Sequence, residues 1–423
     1  MGERRTTASV GASVEALFRE EHGRLLASLA RRFGDLDLAE EVASEAVEAA
    51  LRHWPVDGVP TRPGAWLLTT ARRRAVDRLR RDRTYATRLA LLQVEADRAG
   101  RSGADDDPEL PDERLELFFT CAHPALPADA RAALTLRYLA GLSTTEVARA
   151  FLVPVATMAQ RLVRTKRKII QARIPLRVPG AGELPHRLPG VLQVIYSIFT
   201  EGYAASSGPQ VQRRDLAEEA IRLARILRRL LPAEREIAGL LGLMLLVHAR
   251  RDARTGPDGG IRMLDEQDRS RWDRAMITEG RDLVLVALTG GPPGPYGVQA
   301  AIAALHDEAP DLDGTDWPQI VALYDVLVTL TPSPVVALNR AVAVAMRDGP
   351  HAGLVLLDAL AGDPRLHGHH PFPAARAELL SRLGRHADAA AAYREALDLV
   401  GTEPERTYLR QRLRAVESRS CVD

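Results

Sequence analysis

Apolar residues recur at three- and four-residue intervals in almost every segment longer than ten residues, and alternating β-branched runs are nearly absent. That periodicity predicts helix throughout. In 14–33, Val14, Leu17, Phe18, Leu25, Leu29 and Phe33 fall on one stripe, the core face of an amphipathic helix. The next predicted helix, DLDLAEEVASEAVEAALRHW, carries Asp35, Asp37, Glu40, Glu41, Glu45 and Glu48 and no base before Arg52. A third follows at TRPGAWLLTTARRRAVDRLRRDR, where Pro63 suits a first turn and Trp66, Leu67, Ala71, Val76 and Leu79 keep core spacing.

Over 128–173 the pattern sharpens. Leu134, Leu136, Tyr138 and Leu139 make one helix, closed by Gly141, and Ser143 with Glu146 forms a capping box that opens the next. Leu152-Val153-Pro154 is a short turn, and from Val155 a further helix points Met158, Leu162 and Ile169 inward. Helix, tight turn, helix of this length is the DNA-binding helix-turn-helix pattern. Beyond 175 the helices continue. NRAVAVAMRDGPHAGLVLLDAL and ARAELLSRLGRHADAAAAYREAL align at an offset of 36–37 residues, close to the tetratricopeptide period. Polar breaks rich in Pro, Gly and Asp at 100–111 and 175–189 predict the divisions: a helical block at 14–84, a flexible linker at 85–111, the helix-turn-helix block at 112–175, and a helical extension at 190–415 with repeats near 335–400. The fold class expected is all-α.

Composition narrows the function. The chain has 423 residues, 46% apolar and 27% charged, the balance of a soluble globular protein with ample core. Its longest uncharged apolar run, Ile237 to Val247, is 11 residues, too short for a bilayer, so no membrane partner is expected and the location expected is cytoplasmic. Two cysteines, Cys121 and Cys421, leave no CxxC metal or redox motif. His367, His369 and His370 in LHGHHPFP have no Cys or carboxylate at ligand spacing and read as loop histidines. DLDGTD at 311–316 reads as a turn and helix cap, and Asp265, Glu266, Asp268 and Asp273 among Arg269, Arg271 and Arg274 read as a surface salt-bridge network. No catalytic site, metal or cofactor is predicted.

Charge is uneven in a more telling way. Residues 62–83 hold eight arginines against two acids, a cationic rod suited to phosphates. Residues 161–173 hold six bases and no acid, and Thr157, Gln160, Arg161, Arg164 and Lys168 share one face of the last helix-turn-helix helix. Gln160 and Arg161 are placed to reach base edges; Arg164, Lys166, Arg167 and Lys168 to hold phosphates. Both clusters point to nucleic acid.

Two small helical blocks, the first with an acidic helix and then an Arg-rich one, the second a helix-turn-helix, resemble a bacterial RNA polymerase sigma factor of the extracytoplasmic-function (ECF) group. AEEVASEAVEAALRHWP, GAWLLTTARRRAVDRLRR and LTLRYLAGLSTTEVARAFLVPVATMAQRLVRTKRKI carry the likeness over about 14–175. The extension resembles that of one ECF subgroup with a helical-repeat tail. The resemblance implies sigma region two at 14–84 and region four at 112–175, with core polymerase (β′ coiled coil and β flap) and promoter DNA as partners. It implies that the acidic helix, with Asp37, Glu41, Glu45 and Glu48, docks on the coiled coil. It implies that Val56–Arg62 captures a flipped base of the −10 element, and that Arg62, Arg72, Arg73, Arg74, Arg78, Arg80 and Arg81 lie on promoter DNA there. The helix at 155–168 becomes the −35 reader. The family usually carries Asn where Arg73 stands, and only Trp54 and Trp66 offer aromatic rings near the base-capture loop. The extension is expected to modulate activity or bind a protein or peptide. A stand-alone helix-turn-helix regulator with a helical sensing domain, and an enzyme fused to a DNA-binding module, are the other readings the residues admit.

Overall fold

A computed structural model describes residues 21–81, 113–204, 212–256 and 260–420. The linker expected at 85–111 and the positions Val14, Leu17 and Phe18 lie outside them. Among the described residues every regular element is helical; bridge residues occur singly, with Thr255 and Ile261 paired antiparallel. The chain divides into two compact units, Met1–Ile195 and Tyr196–Asp423.

The first unit starts with α1 over 21–33, whose Leu25, Leu26, Leu29 and Phe33 are buried. α2 (Leu36–Asp57) begins where Asp35 Oδ1 accepts from the backbone N–H of Asp37 (2.9 Å) and Leu38 (3.1 Å), satisfying donors that a helix start leaves open. Its inward face is mostly alanine, with Ala39, Ala43, Ala46 and Ala50 beside Val42 and Trp54, so α3 (Pro63–Arg81) packs close against it. α3 buries Leu67, Leu68, Ala71, Ala75 and Leu79. Trp66 and Val76, expected in the core, are only half-buried, because Leu68 and Ala75 take the central positions.

The second half of this unit comprises α4 (Arg114–Cys121), α5 (Ala128–Leu134), α6 (Thr144–Ala150) and α7 (Val155–Gln171). The predicted helix through Leu139 does not stay regular: α5 passes into a π turn, Thr135–Leu139. The wider turn buries Thr135, Leu136, Tyr138 and Leu139 together. Gly141 then sits at φ +74°, as a helix-ending glycine should. Ser143 Oγ accepts from Glu146 N (3.2 Å) while Ser143 N donates to Glu146 Oε2 (2.7 Å), the predicted box. Met158, Leu162 and Ile169 of α7 are buried as expected.

The chain passes to the second unit within α8 (Leu184–Tyr203). There follow α9 (Arg214–Leu230), α10 (Arg235–Ala249), α11 (Arg274–Leu288), α12 (Pro295–Glu308), α13 (Trp317–Leu330), α14 (Pro334–Asp348), α15 (Pro350–Leu360), α16 (Pro371–Arg382), α17 (His386–Leu399) and α18 (Glu403–Ser420). α10 is the buried axis of the first part. At Gly239 an added Cβ would meet the backbone N of Gly297 at 2.5 Å, so glycine is what lets α10 and α12 touch. α14 and α16 begin 37 residues apart and α15 and α17 36 apart, so the aligned strings are successive helix pairs. They share a core of Leu338, Leu357, Leu380, Tyr393 and Ala396.

Candidate nucleic-acid interface

α3 presents its bases on the side away from its core. Arg73, Arg74, Arg78 and Arg80 are exposed, and Arg62 is exposed just before the helix. Arg72 turns inward: it is half-buried, donates to Ser28 Oγ (3.3 Å), and burial with neighbouring Arg32 lowers its pKa, with Glu113 opposing. Arg72 therefore braces α3 on α1. Arg78 is shared with the acidic helix, pairing with Glu41 Oε1 (2.7 Å) and Glu45 Oε1 (3.2 Å) in full view of solvent. Exposed pairs of this kind are worth a fraction of 1 kcal/mol and exchange readily. Arg73, Arg74 and Arg80 pair with no acid among the described residues. The side chain of Arg81 lies outside the described ones.

Where α2 meets α3, a recess of about 330 Å³ is lined by His53, Trp54, Asp57, Gly58, Val59, Pro60 and Trp66. The two indoles meet edge to face, centroids 5.4 Å apart. Trp54 is 3% exposed, yet its Nε1–H has no acceptor among the described residues. His53 Nδ1 and Asp57 Oδ2 stand 3.6 Å apart on the rim. The recess thus offers the partly exposed ring of Trp66, backed by the buried Trp54, and a carboxylate on its rim, groups suited to a flat heterocycle.

On α7, Gln160, Arg164, Arg167 and Lys168 are exposed, while Thr157 and Arg161 are half-buried. Lys166, expected to hold a phosphate, does not: its ammonium is against Asp37 and Glu40 of α2, the latter at 3.4 Å. Burial lowers its pKa, but the hydrogen bond it donates to Asp37 and the charge of Glu40 outweigh that and raise it. The inward rotation follows from its position one residue after Thr165, on the margin of the buried stripe. Between α5 and α7 runs a groove of about 480 Å³ with an apolar floor of Leu126, Ala133, Phe151, Met158 and Leu162, rimmed by Arg161, Arg164 and Lys168.

The acidic candidates separate. Asp37 faces Lys166, Glu41 and Glu45 share Arg78, and Glu48 is exposed. Glu40, which nothing in the pattern singled out, accepts from Arg137 Nε (2.7 Å) and Nη2 as well as Lys166. Its partners lie 97 and 126 residues away, so no local signal marks it.

In the second unit the residues around 265–274 are not a surface network. Asp268 accepts from Ser270 N (2.9 Å) and Asp273 from Met276 N (3.2 Å) as caps, while Arg269 turns in to donate to the carbonyls of His306 (2.7 Å) and Ala309 (2.8 Å). Trp272 is buried between the guanidinium groups of Arg250 and Arg269, 5.8 and 4.5 Å from its ring. Asp307 lies 3.5 Å from Arg250 Nε, and burial pushes its carboxyl up to about 6 against the pull of both arginines. The turn read at 311–316 is present: Asp311 Oδ1 accepts from Gly314 N (2.7 Å), and Asp316 caps α13. Among the described residues no group of three or more His, Cys, Asp or Glu is placed to hold a metal, and no helix is long and apolar enough to cross a membrane.

Comparison with known proteins adds three matches along the chain. Residues 17–85 match the Sigma-70 region 2 family, and residues 119–169 match Sigma-70, region 4. Residues 187–288 match a family of unknown function, DUF6596. Over 392 residues the chain is 43% identical to an uncharacterized protein of Rhizobium meliloti (strain 1021), covering 92% of each. No solved structure matches it.

Proposed function

The chain belongs to the ECF group of RNA polymerase sigma factors, in the form that carries a C-terminal helical extension, and from that premise we propose how its surfaces divide the work of initiation. As a sigma factor it brings core RNA polymerase to promoter DNA; bond-making belongs to the polymerase, and the cytoplasm is where both are found. The observation that supports the division most is the pair of exposed cationic faces on separate helices, α3 and α7, with an acidic face on α2 between them in function.

In this reading the α2 carboxylates Asp37, Glu41, Glu45 and Glu48 dock on the β′ coiled coil, and the groove between α5 and α7 receives an apolar segment of the β flap. Arg62, Arg73, Arg74, Arg78 and Arg80 lie along the −10 element, with Arg72 positioning the helix that bears them. A base extruded from the −10 element enters the Trp54–Trp66 recess. Melting is then driven because stacking against the exposed part of Trp66 offsets part of the unstacking cost, on the order of a few kcal/mol. Thr157, Gln160, Arg161, Arg164 and Lys168 read or hold the −35 element. The helical pairs of the extension present a surface for a protein or peptide partner.

Run-off transcription with purified core polymerase and promoters selected from the source genome tests the whole. A promoter-specific transcript is the expected result, and its absence with the full chain sinks the division proposed. Trp66→Ala tests the recess: open-complex formation should drop about tenfold or more, as a lost base-stacking contact predicts, while binding to closed duplex promoter stays unchanged. Equal losses in both would remove the recess from base capture.

A further inference from the structure

Within the first unit, α2 is gripped by the helix-turn-helix half of the same chain. Glu40 is the pivot. Its Oε1 accepts two hydrogen bonds from Arg137 in the π turn, and its Oε2 faces Lys166 of α7 at 3.4 Å; Lys166 also contacts Asp37. Arg137 is held in place from behind, since its Nη1 donates to Leu142 O (2.8 Å). These side chains are 16–19% exposed, apart from Asp37, so the network is shielded from water and salt in a way the Arg78 pairs are not. Two further contacts close the same seam. Arg31 of α1 pairs with Glu113 (3.2 Å) and Glu116 (3.1 Å), and at Gly23 an added Cβ would lie 3.0 Å from Leu139 O.

We propose that regions two and four form a self-docked clamp, pinned by Glu40 with Arg137 and Lys166, that must open before the acidic start of α2 can engage polymerase. The inference rests on the reading of α2 as the polymerase-docking helix. One carboxylate of that set, Asp37, is already committed to Lys166, and its neighbour Glu40 carries two bases. A second cationic or polar surface cannot occupy the same carboxylates while these bases remain, so polymerase and region four compete for one turn of helix. The clamp spares the outward face of α7, where Gln160, Arg164 and Lys168 stay exposed. It therefore restrains polymerase engagement and the spacing of the two DNA-binding faces, not the −35 face itself. If the open form is about a tenth of the population, apparent affinity for polymerase is reduced about tenfold, and a change that frees the clamp recovers that factor.

The test uses the full chain carrying Ser44→Cys on α2, Gln171→Cys on α7 and Cys421→Ser, spin-labelled at the two new thiols; Cys121 is buried. The free protein should give one narrow distance, which lengthens and broadens on adding core polymerase. Arg137→Met with Lys166→Met should broaden it without polymerase and bind core polymerase about tenfold more tightly. Glu40→Gln keeps the shape but not the charge, and should move both readouts the same way by less, which preserves the test should the double variant fail to fold. An unchanged distance when the native protein binds polymerase overturns the clamp. So does a broadened distance in the double variant with native affinity. If neither native nor variant protein binds polymerase, the docking reading fails and the clamp falls with it, an outcome distinct from equal, measurable binding by both.

Discussion

At the scale of single residues, the helix-turn-helix turns on a position that any inspection of composition passes over. Leu152 adopts φ +51°, the left-handed region that a β-carbon disfavours by about 1–2 kcal/mol. It is 50% exposed, so little packing is lost on replacing it. Leu152→Gly should therefore raise the thermal midpoint of the first unit, by relief of strain offset in part by the entropy glycine gains on unfolding. A calorimetric scan showing a lower midpoint would mean that Leu152 packs better than its exposure suggests. Gly141 behaves in the opposite sense. It sits at φ +74°, and an added Cβ would lie 3.2 Å from the side chain of His22, so Gly141→Ala should destabilise the same unit.

At the scale of elements, local rules account for most of what is seen. The Ser143–Glu146 box, the glycine stop at Gly141 and the buried spacing of Met158, Leu162 and Ile169 are all legible in a dozen neighbouring residues, because each is satisfied within its own or the adjacent helix. Which bases on α7 face outward was only partly legible. Gln160, Arg164 and Lys168 lie where the helical projection puts them, but Lys166, in the middle of the same basic run, points to α2. That split predicts different promoter phenotypes. Gln160→Ala should change preference at one −35 base pair, worth roughly 1–3 kcal/mol of discrimination. Lys168→Ala should weaken binding to all −35 variants alike and lower the salt slope by about one. Fluorescence binding titrations on a panel of −35 sequences at two salt concentrations separate them; the same uniform loss for both would take Gln160 out of base reading.

At the scale of the whole molecule, the extension carries buried ionisable groups that make its stability depend on pH. Burial, with Arg251 and Arg214 adding, holds His248 at about 4; burial, with Arg250 and Arg269, does the same for His306. Both are near 6.5 when unfolded, so the unfolded chain binds more protons between those values. Their contribution is complete above about pH 6.5 and is lost as pH falls toward 4. His248 and Glu218, 3.9 Å apart, are accordingly not an ion pair at neutral pH. Asp307 works the other way: its folded pKa is raised to about 6, so acidification below that value favours the fold. Two histidines outweigh one carboxylate, and urea unfolding of the extension followed by Trp fluorescence should show lower stability at pH 5 than at pH 7.5. His248→Gln should flatten part of that slope; an undiminished slope would assign the acid sensitivity elsewhere.

The amino-acid sequence on its own determined the helical class, the helix-turn-helix, the repeated helix pairs near the C-terminal end and the two concentrations of arginine, because periodicity, capping and charge density are properties of short windows. Only the tertiary structure decided that Trp54 and Trp66 enclose a recess, that Arg72, Lys166 and Arg269 face inward, and that Glu40 ties α2 to Arg137 and Lys166. Each of those depends on which helix faces are brought together across tens of residues. A charged side chain near the margin of a buried stripe turns toward solvent or toward a partner according to what packing places opposite it, and no local pattern records that.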